Sequence, residues 1–142
     1  MADVPSFDIV LVEDTQTDAE LTIRSLKKNH LANSILHLDD GAAALEFFSQ
    51  DPRPRLVILD LKLPKVDGLE ILKKIKGTEA TRTVPVIVLT SSKEESDIVA
   101  SYNLGANSYI VKPVDFQKFS DAVREAGLYW LLLNESPHGN LR

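Results

Sequence analysis

Five polar side chains stand where apolar runs stop, and their types suggest one chemistry. Glu13 and Asp14 follow the run 7–12, which is broken only by Asp8. Asp60 closes the uninterrupted Leu56-Val57-Ile58-Leu59, Thr90 follows 84–89, and Lys112 follows 107–111. A four-residue branched apolar run fits a strand buried on both faces of a parallel sheet. An aspartate at its end needs a reason, because burying a charge is costly unless the charge is paired. Open parallel sheets place their sites at the carboxyl ends of the strands. A crevice there would gather Glu13, Asp14, Asp60, Thr90 and Lys112. Three adjacent carboxylates repel one another, and a hard cation resolves that repulsion. Mg²⁺ suits the purpose, since it takes one or two carboxylates, waters and a phosphate oxygen. Lysine offers a point charge and threonine a hydrogen bond to a phosphoryl group. The remaining carboxylate, Asp60, can act as a nucleophile and form an aspartyl phosphate.

The rest of the chain supplies the elements that must position these groups. Helical spacing recurs after the first run at Ala19, Ile23 and Leu26, with Thr15 or Thr17 available as a cap. A shorter strand at 34–38 precedes a helix over 41–49, and Asp51-Pro52-Arg53-Pro54 forms a loop. Pro64 and Gly68 mark the loop after Asp60, and Leu69, Leu72 and Ile75 line one face of the following helix. Pro85 is compatible with the fourth strand only near its start. A mainly polar helix over 93–104 is expected to turn Ile98, Val99 and Tyr102 inward, and Gly105 stops it. Asp115 caps the last helix. Five strands alternating with five helices predict an α/β doubly wound, flavodoxin-like (βα)5 fold. The parallel sheet has order 2-1-3-4-5, with helices on both faces.

Composition narrows the function classes. At 142 residues and 44% hydrophobic content, one globular domain is expected. It reads as residues 7–133, after an N-terminal extension of 1–6 and before a polar tail of 134–142 too short for an output domain. The absence of cysteine excludes disulfides, thiolate catalysis and cysteine-based zinc sites. A net charge of -5 without a basic stripe argues against nucleic acid as a partner. No secretory pattern opens the chain, and no run approaches the ~20 apolar residues that span a bilayer, so a cytoplasmic protein with no membrane partner is expected. His30, His37 and His138 are too scattered for a metal site.

In order and separation, Glu13-Asp14, Asp60, Thr90 and Lys112-Pro113, together with the loop Leu63-Pro64-Lys65-Val66-Asp67-Gly68, resemble the receiver domains of two-component response regulators. The resemblance covers about residues 7–126. It implies Asp60 as phosphoacceptor, Glu13 and Asp14 as the acidic pair for Mg²⁺, and the backbone carbonyl of Lys62 as a further ligand. It also implies Thr90 and Lys112 on the phosphoryl group, a cis Lys112–Pro113 bond, and Tyr109 as a switch aromatic that moves with Thr90. Such a protein is a signalling phosphoacceptor, not a turnover enzyme, and its phosphodonor is a sensor histidine kinase. The segments 107–116 and 127–135 resemble stand-alone regulators paired with bacterial and cyanobacterial phytochromes, which implies a bacteriophytochrome kinase. A phosphate-relay intermediate without its own output is an alternative. A haloacid-dehalogenase-type phosphatase would need a second aspartate where Lys62 stands. A flavin-binding domain would need a better phosphate cradle than the glycine-free Thr15-Gln16-Thr17.

The last helix has more apolar surface than one sheet can cover. Phe116, Phe119, Val123, Ala126, Trp130 and Leu133 form one stripe, and 128–133 is apolar throughout. A helix apolar all round must be buried all round. The expected cover is a second copy of the chain, in a homodimer through Leu128, Tyr129, Trp130, Leu131 and Leu132. Output would then pass to a downstream protein through a phosphorylation-dependent change in that surface.

Overall fold

The computed structural model describes residues 7–135; the expected extension 1–6, and 136–142 of the expected tail with His138, lie outside them. Strands β1 (Ile9–Val12), β2 (Ile35–Leu38), β3 (Leu56–Leu59), β4 (Val86–Thr90) and β5 (Ser108–Val111) alternate with five helices. These are α1 (Gln16–Lys28), α2 (Gly41–Phe48), α3 (Gly68–Gly77), α4 (Glu95–Asn103) and α5 (Phe116–Leu128). The strands form one parallel sheet in the order β2-β1-β3-β4-β5, as expected. No helix among the described residues is long and apolar enough to cross a membrane.

The apolar runs follow from position in the sheet. β1, β3 and β4 are central and buried at every residue, whereas the edge strands β2 and β5 are half-buried throughout. Alternate side chains of a strand point to opposite faces. Val10, Val12, Val57, Leu59, Val86 and Val88 therefore join a core with Phe48, Ile71, Leu72 and Ile75 of α2 and α3. Ile9, Leu11, Ile58, Ile87 and Leu89 join a second core with Leu26 of α1 and Phe119 and Val123 of α5. Pro85 lies just before β4, where its carbonyl accepts from Val57 N at 2.9 Å and its missing N–H costs nothing.

Aspartates start three of the helices. Asp40 caps α2 through Ala43 N, Asp67 caps α3 through Leu69 N, and Asp115 caps α5 through Lys118 N. Gly68 has a further role. A β-carbon there would stand 2.5 Å from Leu61 Cα and 2.6 Å from the Asp60 carbonyl oxygen. Only glycine lets α3 begin against the backbone that carries Asp60. The loop before it is also tightly folded: Val66 N donates to the Pro64 carbonyl at 2.8 Å across Lys65, whose φ is 70°. That is the rarer, strained form of γ-turn.

Two packing expectations change. Val99 and Tyr102 are half exposed, and α4 fully buries only Ser101. The reason is that α4 packs on the edge strand β5 and on α3, a position with too little sheet surface to cover an apolar face. The stripe of the last helix also shifts. Phe119, Val123, Gly127 and Leu131 are buried, while Phe116 and Leu133 are exposed. After Leu128 the chain winds into a π-helical turn, Tyr129–Leu133, ended by a bond from Asn134 N to the Tyr129 carbonyl at 2.7 Å. The wider winding turns Leu131 onto the core face, which a four-residue spacing would miss in an α-helix. Leu131, expected in a dimer interface, is instead 2% exposed beneath its own chain, and its carbonyl accepts from Arg55 Nη2 at 2.7 Å.

Gly68→Ala should lower stability by about 1–3 kcal/mol through overpacking, and should shift the amide resonances of Asp60 and Leu61 more than those of β2. Gly77→Ala, with open space around its β-carbon, should stay within about 1 kcal/mol of wild type, on the stabilising side. Denaturant unfolding of the two variants checks the contrast; equal effects would remove the close-approach explanation.

Candidate functional site

The sheet ladder continues one residue past each relevant strand and so delivers the polar groups. Glu13 N donates to Leu38 O at 3.0 Å, Asp60 N to Val12 O at 3.0 Å and Lys112 N to Thr90 O at 2.8 Å. Backbones held this way turn three side chains toward one place. Glu13 and Asp60 are 1% and 4% exposed, and Asp14 faces solvent. A carboxylate oxygen from each of Glu13, Asp14 and Asp60 lies within 4.8 Å of the others. Lys112 reaches in from β5, its Nζ 2.7 Å from Glu13 Oε1 and 2.9 Å from Asp60 Oδ2. A third carboxylate, Asp18 Oδ2 on the first turn of α1, lies 2.8 Å from the same nitrogen.

Burial and crowding set the charges. Burial, with Asp60 alongside, pushes the Glu13 carboxyl up to about 8, against the pull of Lys112. Burial acts in the same upward direction on Asp60 but is outweighed by hydrogen bonds from Glu13 and Lys112 and by the Lys112 charge, so Asp60 stays below the ordinary aspartate range. Burial works against the Lys112 charge, yet bonds to Asp18, Glu13 and Asp60 push its amine above the usual lysine value. Thus the prospective nucleophile is ionised while its neighbour holds a proton. Three carboxylates meet one ammonium, and a fourth, Asp14, lies beside Glu13 and Asp60. Three of the four offer hard oxygen donors at one point, with Asp14 open to solvent. That donor set fits a divalent cation which prefers oxygen ligands and retains waters.

Thr90, fully buried at the end of β4, neighbours Lys112 through the β4–β5 ladder, and its Oγ1 accepts from Ser92 N at 3.4 Å. Tyr109 lies half-buried on β5, opposite Val88, with its hydroxyl donating to the Ser92 carbonyl at 3.0 Å. Lys62 is exposed, its N–H donating to Asp60 Oδ1 at 3.1 Å and its Nζ 3.1 Å from Asp97 Oδ2. Ser92 Oγ donates to the same Asp97 oxygen at 2.6 Å, so Lys62 is tied across to α4. The Lys112–Pro113 bond is trans, like every peptide among the described residues, which corrects the expected cis form. With β5's ladder running through Lys112 N, the intrinsically favoured trans isomer already brings Nζ to the carboxylates. Asp18 is the site residue that sequence reasoning missed. Its only signal is its place in the first turn after Glu13-Asp14.

Comparison with known proteins gives this geometry its context. A family model described as the response regulator receiver domain matches residues 9–124. The chain belongs to the receiver-domain family of response regulators. In this family the phosphoryl group is carried on an aspartate. The receiver is 41% identical over 136 residues to the probable methanogenesis regulatory protein FilR2 of Methanothrix harundinacea, covering 92% of this chain and 88% of that one. It is 39% identical over 129 residues to the response regulator Rcp1 of Synechocystis, covering 87% and 88%. The Mn²⁺-bound crystal structure of Rcp1 superposes with a TM-score of 0.85, at 38% identity, over 91% of this chain and 97% of that one. Phosphorylated RcpA, a cyanobacterial phytochrome response regulator, superposes with a TM-score of 0.86, at 32% identity, over 94% and 99%. The receiver is thus a signalling protein related to phytochrome-associated regulators.

The raised Glu13 pKa has a sign that can be tested. In chelator the folded receiver holds a proton on Glu13 that the unfolded chain releases above about 4.5. The stability Glu13 contributes is therefore full below pH 4.5 and is lost as pH rises through about 8. Asp60, lowered below 3.8, acts only at more acidic pH. Thermal unfolding should show wild type losing stability across pH 5–8 relative to Glu13→Gln; parallel curves would mean that Glu13 ionises normally.

Proposed function

We propose that the receiver is a phosphorylation-controlled switch: a sensor histidine kinase places a phosphoryl group on Asp60 in a Mg²⁺-dependent reaction, and another protein reads the altered surface. The observation that carries this reading is the buried Asp60 carboxylate, 2.9 Å from Lys112 Nζ inside a cluster of oxygen donors. In the transfer an Asp60 oxygen attacks phosphorus. The new O–P bond forms as the N–P bond of the donor phosphohistidine breaks, and the imidazole leaves with the electron pair. Lys112 and the Thr90 hydroxyl donate to phosphoryl oxygens. Glu13, Asp14, Asp60 and the Lys62 carbonyl would hold Mg²⁺, which would neutralise charge on the transferring group.

The conformational output follows from which groups the new charge attracts. A phosphoryl group adds about -1.5 to -2 charge. Thr90 is drawn to it at the head of the β4–α4 connection, and Tyr109, bonded to the Ser92 carbonyl of that connection, responds. The result is a population shift between two states of the α4–β5–α5 face. That face already exposes Tyr102, Tyr129, Leu132 and Leu133. Leu128 and Trp130 pack partly on the core beneath, with Trp130 Nε1 donating to Ser108 Oγ at 3.1 Å. A homodimer through Tyr129, Leu132 and the exposed parts of Leu128 and Trp130 covers the surface; Tyr129 and Trp130, packed edge-to-face at 4.9 Å, are its anchors. The switch works in the cytoplasm, with a phytochrome-type kinase as donor, as the likeness to RcpA suggests.

Incubation with Mg²⁺ and acetyl phosphate should give a mass adduct that Asp60→Asn and chelator both abolish. Lys112→Met should slow its formation about 100-fold, the loss seen when one donor to a developing charge is removed. No adduct on wild type at millimolar Mg²⁺ would end the switch reading. Light scattering at micromolar concentration should find a dimer that Tyr129→Asp with Leu132→Asp converts to monomer. A wild-type monomer, with and without beryllofluoride, would exclude the homodimer.

A further inference from the structure

We infer that Asp18 is the positioning residue for Lys112 in phosphoryl transfer, the acceptor on which the lysine stays anchored while its other bonds are exchanged. The inference rests on the switch reading above and assigns a role to a residue outside the acidic cluster.

A lysine ammonium has three N–H donors, and Lys112 directs them at three carboxylates: Glu13 Oε1 at 2.7 Å, Asp18 Oδ2 at 2.8 Å and Asp60 Oδ2 at 2.9 Å. These acceptors are not equivalent. Glu13 and Asp60 belong to the cluster whose oxygens a divalent cation claims, and Asp60 is also the atom source for the new O–P bond. Both therefore have competing demands on the lone pairs that Lys112 uses. Asp18 lies outside that cluster among the described residues, so its carboxylate keeps its bond to Lys112 throughout. One N–H held by Asp18 leaves the other two aimed at the seat of the phosphoryl group.

The anchor is built on a rigid element. Asp18 sits in the first turn of α1, with its carbonyl accepting from Thr22 Oγ1 at 2.8 Å. The next residue, Ala19, is 1% exposed in the core beside Leu26. On the opposite side, Lys112 is fixed by its own backbone bond to Thr90. The tether therefore joins α1 to β5 across the site. It removes freedom from a long, flexible side chain before the reaction begins, which is how a positioned group lowers a barrier. Asp18 forms no bond to phosphorus and takes no proton; it acts through Lys112 alone.

The test uses the full chain with Mg²⁺, acetyl phosphate and beryllofluoride. Asp18→Ala should slow labelling of Asp60 on the order of tenfold, the low end for losing a group that orients a ligand-binding one. Beryllofluoride affinity should fall similarly, with Mg²⁺ affinity, read from amide resonances, within about twofold of wild type. Asp18→Asn, which retains an acceptor oxygen, should recover most of the rate. In a Lys112→Met background, adding Asp18→Ala should change nothing further, because the partner through which it acts is gone. Wild-type labelling by Asp18→Ala would overturn the inference. Equal loss in the presence and absence of Lys112, or a parallel fall in Mg²⁺ affinity, would reduce Asp18 to a structural residue. Absence of labelling in wild type would instead overturn the switch reading itself.

Discussion

A single ammonium, Lys112 Nζ, stands at the meeting point of carboxylates that could not otherwise share a buried crevice. Like charges a few ångströms apart in a poorly solvated place raise one another's proton affinity. Here the conflict is divided unequally. Glu13, the deeper acid, takes up a proton, while Asp60 is kept ionised by its bonds to Glu13, Lys112 and the Lys62 N–H. The division matters because only the ionised carboxylate can attack phosphorus. The same negative surplus that makes the crevice expensive for a folded chain makes it attractive to a divalent cation. Strain and function have one electrostatic source.

Topology is what makes that crowding unavoidable. The order β2-β1-β3-β4-β5 sets β3 between β1 and β4, so the chain ends of three central strands and β5 open toward one crevice. Each polar group is carried one residue beyond the apolar run, where the backbone is still held by the ladder but the side chain has left the core. Precision comes from that combination. The close approach of Gly68 to the Asp60–Leu61 backbone adds a stop behind Asp60. Groups supported on strands and helix starts hold their geometry better than groups on loops.

Two ties lead outward from the crevice. One runs from Asp60 through Lys62 to Asp97 and Ser92 at the start of α4, and Tyr109 joins it through the Ser92 carbonyl. The other runs from Lys112 through Asp18 into α1. Charge added at Asp60 therefore acts on helices at both sides of the sheet through contiguous bonds. The exposed aromatic and aliphatic residues on α4 and around the π-helical turn lie on the α4 side of that network.

The sequence by itself determined the fold class and the strand order, and it marked the five strand-end residues that stand at or beside the crevice. Continuous apolar runs and stripes of period 3.6 are local signals of buried strands and amphipathic helices, and a polar residue ending a buried run is visible without coordinates. Tertiary structure decided what depends on reach and phase. Asp18 became a partner of Lys112 only when α1 was laid beside β5, because a separation of 94 residues carries no local signal. At Lys112–Pro113 the bond keeps the trans isomer that the dipeptide itself favours, and the lysine reaches the carboxylates from it. Leu131 turned inward because the final turn winds as a π-helix and brings it into the core that holds Leu26, whereas a 3.6 period assigns that place to Trp130 and Leu133. Val99 and Tyr102 stayed outside because a sheet edge offers α4 less area than its apolar pattern requests. Patterns record which residues can be buried; packing decides which are, since that depends on surfaces brought from elsewhere in the chain.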